Sequence, residues 1–378
     1  MPQAVETLLR KLVAIDSINP DLVPGGAGEA AIAQFVANWL QEAGLEVTLD
    51  EPVAGRPSVV GIARGSGGGR SLLLNAHMDT VGVVGMEHPH EPGVEGNRLY
   101  GRGAYDMKGG LAAIMLAAAQ AKQRGLRGDV IVTAVADEEY ASIGTASVVR
   151  RWRADAAIVT EATALDLCLA HKGFTWLEVE VTGRAAHGSL PNVGVDAIVK
   201  MGKILTGLEH LESALAAQPA HPLLGHGSLH ASLITGGQEL SSYPEHCLLS
   251  VERRTLPEET PEQVEAELQR IIDQLAAADP ALQAVVRTTL ARAAFEVPAD
   301  APIVQAVRGA ANAVLGREPA VFGAAWWMDS AILAASGIPT VIFGPSGEGA
   351  HAAVEWVNLD DVERCVEVLV RAATNFCG

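Results

Sequence analysis

Cysteine is scarce in this 378-residue chain: there are only Cys168, Cys247, Cys365 and Cys377, and none forms a Cys-x-x-Cys pair. That excludes a zinc finger, a dithiol redox motif and a disulfide framework, and it fits a reduced, cytoplasmic compartment. Positive charge is also in short supply. Lys and Arg number 27 against 45 Asp and Glu, a formal net charge of -18. Phosphate backbones and anionic membrane surfaces repel such a chain, so neither nucleic acid nor a membrane is expected as a partner. No apolar run approaches the roughly 18 residues of a membrane span. Near the start, Val5, Leu8, Leu9, Leu12 and Val13 recur at helical spacing, while Glu6, Arg10 and Lys11 interrupt any signal-peptide apolar core. An amphipathic helix is expected there rather than a targeting segment. No G-x-G-x-x-G opens the first strand–helix unit, which argues against a nucleotide-binding α/β protein. The glycine run at 65–69 lacks the Lys-Ser/Thr of a phosphate loop and reads as a flexible hairpin turn.

What the chain does have is apolar mass. Hydrophobic residues make up 49% of it, more than one core normally organises, so two domains are expected. Strand-like runs at 71–76, 129–136 and 156–160 alternate with a helical pattern at 110–121, and the alternation returns with a strand at 340–343 and a helix at 359–373. This is the pattern of an α/β domain: a mixed, mostly parallel sheet with helices on both faces. The middle differs. Residues 176–182 alternate as a half-exposed antiparallel strand, and Ile198, Met201, Ile204, Leu205, Leu208 and Leu211 line one face of a helix. Strands follow near 228–234 and 247–253. A second helix starts with Thr260 as N-cap, Pro261 at N1 and Gln263 closing a capping box. Residues 175–288 therefore read as an inserted α+β domain, an antiparallel sheet with two helices, and 1–174 with 289–378 as the α/β domain.

Ligand-type side chains follow the α/β strands. His77 and Asp79 come after the first, Asp137, Glu138 and Glu139 after the second, Glu161 after the third, and His351 lies in the loop after the last. Asp106 sits in a glycine-rich loop that opens a helix. Open α/β sheets bind ligands beyond the carboxyl ends of their strands, so one edge gathers two histidines and several carboxylates. Singly, each is an ordinary surface pair, solvated loop or helix cap. Together the carboxylates would repel one another and raise each other's pKa unless cations lie among them. Two divalent metal ions remove that conflict. Imidazole with carboxylate and no thiolate suits zinc, with cobalt or manganese as alternatives. Of two adjacent glutamates, one can bind metal while its neighbour stays free as a general base.

The segments NAHMDTV, GRGAYDMKGG, DEEYASIGT, IVTEAT, AHKG, GRAAHGS, ERRTLP and GPSGEGAH occur in this order over nearly the whole chain. They resemble the M20 family of metallohydrolases, which includes acetylornithine deacetylase, succinyl-diaminopimelate desuccinylase, aminoacylase and glutamate carboxypeptidase. The resemblance implies that Asp106 bridges two metals, that His77 and Glu161 complete one site and Glu139 and His351 the other, and that Glu138 is the general base. It implies that Asp79 orients His77, that the peptide bond after Asp106 is cis, and that His187 stabilises the oxyanion in the active site of a partner subunit. It further implies that Arg254 binds the substrate carboxylate and that the inserted domain is a lid through which the chain forms a homodimer. Two departures stand out. Ala162 replaces a proline frequent in the family, so a looser loop is expected after Glu161. Ser242 replaces a frequent asparagine, which bears on substrate preference. The implied reaction is hydrolysis of an amide bond beside a carboxylate, as in deacylation of an N-acyl amino acid. A carboxypeptidase or dipeptidase acting on short peptides is the alternative within the family. A catalytically inactive binding protein would be expected to have lost a ligand or Glu138, and this chain retains them all.

Overall fold

Long apolar runs without polar alternation demand a sheet covered on both faces, and the structure, a computed structural model describing residues 2–378, contains one. The chain divides into two compact units: Met1–Leu169, Val297–Phe322 and Met328–Gly378 form the first, and Ala170–Glu296 with Gly323–Trp327 the second. The second unit is wider than the 175–288 segment expected from the sequence. Strand pairing explains the difference. Glu296 and Phe295 pair with Ala170 and His171, and Lys172 N donates to Ala324 O, so the flanking residues stay with this unit.

In the first unit, Val130–Val135, Leu72–His77, Ala156–Val159 and Thr340–Ile342 lie side by side and parallel, in that order. Ser58–Ala63 and Glu46–Asp50 extend the sheet antiparallel past Val130–Val135. Every residue of Leu72–His77 and Val130–Val135 is buried. The helix Leu359–Cys377 packs against Gly109–Arg124, Pro302–Leu315 and Pro2–Val13, whereas Ala30–Glu42 and Ile143–Arg151 cover the antiparallel side of the sheet. Val5, Leu8, Leu9, Leu12 and Val13 are all buried, as their helical spacing requires. The glycine run 65–69 is not a hairpin turn. The strands it connects, Ser58–Ala63 and Leu72–His77, are separated by Val130–Val135. A Cβ at Gly65 would lie 2.4 Å from Arg127 O, and one at Gly69 2.3 Å from Cys377 O. Close backbone approach explains the glycines there.

In the second unit, Ser228–Gly236, His246–Thr255, Gly173–Thr182 and Gln283–Arg292 form an antiparallel sheet in that order. One face buries Leu177, Val179, Val181 and Val251 against Met201, Ile204 and Leu208 of the helix Ala197–Ala216 and Val264, Leu268 and Ile272 of the helix Pro261–Ala278. The second helix begins at the expected capping box: Gln263 N donates to Thr260 Oγ1 at 3.3 Å, and Thr260 N to Gln263 Oε1 at 2.9 Å.

A buried charge cluster fixes the end of Val130–Val135 in the first unit. Arg56 grips the Glu29 carboxylate with Nε at 2.5 Å and Nη2 at 2.7 Å, and Nη2 also reaches Asp137 Oδ1 at 3.0 Å. Burial pushes the Glu29 carboxyl up, and the Arg56 hydrogen bond opposes that shift. The side chains of Glu29 and Asp137 are 0% and 1% exposed. Arg56→Ala would leave both without their cation, a loss of about 3–5 kcal/mol. A urea titration should show that drop as a lowered midpoint; a midpoint within the scatter of the parent protein would contradict this role for Arg56.

Candidate metal centre

The four parallel strands end at one edge, and each sends polar side chains there. His77 is the last residue of Leu72–His77, Val130–Val135 runs on into Asp137, Glu138 and Glu139, Ala156–Val159 leads to Glu161, and Thr340–Ile342 leads to the loop carrying His351. Asp106 comes from the turn Ala104–Lys108 at the start of the helix Gly109–Arg124, and its peptide bond to Met107 is cis. Gly110 lets that helix abut the strand end: a Cβ there would lie 2.1 Å from Thr160 O. Glu355 holds the turn from beneath. Its carboxylate accepts from Gly103 N and Tyr105 N at 2.9 Å, from Asp106 N at 3.1 Å and from Arg102 Nη1 at 2.7 Å.

Asp106 lies between the two histidines. Its Oδ1 is 3.2 Å from His77 Nε2 and its Oδ2 3.3 Å from His351 Nε2. Glu161 Oε1 is 3.7 Å from His77 Nε2, and Glu139 Oε2 is 3.1 Å from His351 Nε2. Ligand atoms of His77, Asp106 and Glu139 all fall within 4.8 Å of one another, as do those of His77, Glu138 and Glu161. Two donor groups thus adjoin a single carboxylate.

Proximity and burial perturb every member. Burial and the Asp106 charge push the Glu161 carboxyl up to about 8 and that of Glu139 up to about 7. Burial raises the Glu138 carboxyl well above its usual range, against the pull of His77. Hydrogen bonds to Asp106 and Glu139 lift His351 to about 10. Burial would raise Asp106 too, yet His351 and His77 hold it below the usual carboxylate range. Shifts of this kind, clustered on imidazole and carboxylate, mark positions where divalent cations would satisfy the charge. Glu139 Oε1 is buried with no hydrogen-bond partner among the described residues, as expected of an oxygen aimed at a cation. Imidazole nitrogen and carboxylate oxygen suit zinc, cobalt or manganese.

Asp79 meets the His77 ring through its main chain. His77 Nδ1 lies 2.9 Å from the main-chain carbonyl of Asp79 and 3.6 Å from its carboxylate. A carbonyl can only accept, so Nδ1 carries the proton and Nε2 turns a lone pair to the cluster. The carboxylate is already occupied by Glu138 N at 3.0 Å, Glu139 N at 3.2 Å and Asn19 Nδ2 at 2.8 Å. It fixes the backbone of the glutamate pair. The loop after Glu161 is tied despite Ala162: Thr163 Oγ1 donates to Gly344 O at 3.2 Å and accepts from Gly344 N at 2.9 Å. Asn19 and Glu355 carry no sequence signal of their own, since neither belongs to a motif or an amphipathic pattern.

His187 and Arg254 belong to the second unit. His187 pairs with Ser242 across the short strands Ala186–His187 and Ser242–Tyr243. Its exposed ring accepts at Nδ1 from Ser189 N at 3.2 Å, which leaves Nε2 as the donor of the neutral ring. The Ser242 hydroxyl is bonded to Glu239. Arg254 is half-buried, with Nε donating to Glu252 Oε1 at 2.6 Å.

The description "Peptidase family M20/M25/M40" matches this chain over residues 73–375. An acetylornithine deacetylase from Myxococcus xanthus is 31% identical over 393 residues, covering 99% of this chain and 98% of that one. An N-formyl-4-amino-5-aminomethyl-2-methylpyrimidine deformylase from Bacillus subtilis (strain 168) is 26% identical, covering 94% of this chain and 91% of its own length. The crystal structure of aminopeptidase PepT from Bacillus cereus ATCC 10987 superposes with a TM-score of 0.82 at 19% identity, covering 100% of this chain and 99% of that one. No helix of the described residues is long and apolar enough to cross a membrane. With the family match spanning most of its length, the chain belongs to the hydrolases of peptidase family M20/M25/M40.

Proposed function

We propose that this protein removes the acyl group from an N-acyl amino acid, hydrolysing the amide bond beside the substrate carboxylate. The observation that carries this reading is Asp106, which offers one oxygen to each of two histidine–glutamate groups. His77 and Glu161 would hold one divalent cation, Glu139 and His351 a second, with Asp106 shared; zinc fits this donor set. When bound, the cations would supply Lewis acidity, acidifying a water and countering negative charge on the carbonyl oxygen. Glu138 takes that water's proton on its carboxylate and returns it to the departing amine. Its carboxylate makes no hydrogen bond among the described residues, and cations on its neighbours would oppose the upward push of burial and favour the ionised form that acts as base. Asp79 keeps it in place by holding the backbone N–H groups of Glu138 and Glu139. We assign His187 Nε2–H to the oxyanion and the Arg254 fork to the substrate carboxylate, on their own surroundings and the family resemblance.

Deacylation is preferred over peptide hydrolysis because the Myxococcus xanthus enzyme, similar over nearly its full length, is an acetylornithine deacetylase. The likeness to aminopeptidase PepT is one of fold. Four free, buried cysteines suit a reducing, cytoplasmic setting.

We further propose a homodimer formed through the second unit. Ser228–Gly236 is an edge strand with Leu233 71% and Ile234 51% exposed, beside exposed Ile198 and Val199 of the helix Ala197–Ala216. An apolar open edge of this kind is an aggregation hazard unless covered, and a second copy can pair with it.

Glu138→Gln should lower turnover of N-acyl amino acids by on the order of 10²–10⁴-fold while zinc content stays at the parent level. Parallel loss of zinc would contradict the base assignment. Sedimentation should find the parent protein dimeric and Leu233→Asp monomeric; a monomeric parent would sink the dimer.

A further inference from the structure

One buried carboxylate of the first unit has no part in the reaction as assigned above. Asp329 is 1% exposed. It precedes the helix Ser330–Ala335, yet its side chain makes no capping hydrogen bond to that helix. Its Oδ2 accepts from Thr145 Oγ1 at 2.5 Å, while Oδ1 is buried with no hydrogen-bond partner among the described residues. The buried Ser142 hydroxyl approaches the carboxylate only loosely. No Lys, Arg or His of the described residues forms an ion pair with it. A carboxylate in such surroundings is costly unless a positive charge faces it.

Its place in the fold narrows the source of that charge. Ser142 and Thr145 lie at the start of the helix Ile143–Arg151, shortly after the Glu138–Glu139 pair. Thr145 Oγ1 is also 3.4 Å from Asn75 Nδ2, on the strand that ends in His77. Asp329 is thus held behind the strand ends that carry His77 and the glutamate pair. Burial raises the carboxyls of Glu138 and Glu161, and the Asp329 charge adds to both shifts. Burial pushes Asp329 itself up to about 6, with Thr145, Ser142 and His77 opposing. Glu139 is shifted by burial and by Asp106, and His351 by Asp106 and Glu139, without a comparable contribution from Asp329. The Asp329 carboxylate therefore bears on one half of the metal centre, the half built from His77 and Glu161.

We infer that Asp329 is a positioning residue for the cation of the His77–Glu161 half: its carboxylate is a fixed negative charge outside the coordinating set that strengthens the hold on this ion and not on the one at Glu139 and His351. This rests on the two-cation reading of the site and deepens it. A group beyond the direct ligands acts on a metal in this way through the field it sets around them. The hydroxyl of Thr145 orients the carboxylate, and the charge does the binding.

The test is zinc affinity, measured by competition with a chromophoric chelator at mildly alkaline pH, where Asp329 is ionised. Asp329→Asn keeps the size of the side chain and an acceptor for Thr145 but removes the charge. One of the two zinc ions should then bind about 10–100-fold more weakly, and the other as in the parent. In a His351→Ala background, which cripples the other position, the zinc that remains should show the same loss. Thr145→Val removes the hydroxyl and keeps the charge, so both affinities should stay at the parent level. An amide is easier to bury than a carboxylate, so metal-free Asp329→Asn protein should melt no lower than the metal-free parent. Unchanged zinc binding by Asp329→Asn, equal weakening of both ions, the same loss in Thr145→Val, or a lower melting temperature for metal-free Asp329→Asn would overturn the inference and make Asp329 a structural residue. A parent protein that takes up no zinc would overturn the two-cation reading, and this inference with it.

Discussion

The shared position of Asp106 is the constraint on which the rest depends. Four carboxylates, those of Asp106, Glu138, Glu139 and Glu161, meet at one edge of the parallel sheet, half-buried or buried, where screening by water is weakened. Burial and the Asp106 charge push Glu139 and Glu161 up to about 7 and 8, and hydrogen bonds to Asp106 and Glu139 lift His351 to about 10. Two cations on the same donors would relieve that repulsion and use the Glu139 oxygen that has no partner among the described residues. The chemistry follows from that arrangement: one glutamate of the adjacent pair is engaged and the other is free.

So demanding an arrangement needs support behind it. Glu355 accepts from the backbone N–H groups of Gly103, Tyr105 and Asp106 and is paired with Arg102. Asp79 does the same for Glu138 and Glu139, with Asn19 as its third donor. Asn19 also bonds Asp137, which Arg56 holds from the other side. In this way the turn and the glutamate pair are each anchored through the backbone, leaving the side chains to face the cluster.

How much of this could be read in the sequence depends on the distance along the chain over which each interaction acts. A ligand that directly follows an apolar strand is a local signal, so His77, the Glu138–Glu139 pair and Glu161 could be located from strand patterns. The capping box at Thr260 is equally local. Glu355 could not be found this way, because its bonds to the Asp106 turn cross 249 residues or more. Arg56 and Asn19 likewise act on Asp137 across 81 and 118 residues. Asp79 was recognisable as a partner of His77, but which of its oxygens serves the ring depends on backbone geometry. The place of the glycines at 65–69 and the bounds of the second unit both depend on which strands become neighbours, which no local pattern carries.

The central claim is that one carboxylate serves two cations, and the direct measurement is zinc content per chain for the parent protein and for Asp106→Ala. Two zinc ions in the parent and loss of both from the variant are the expected result. An Asp106→Ala protein that stays folded and keeps both ions would contradict the shared position of Asp106, and with it the arrangement of the whole site.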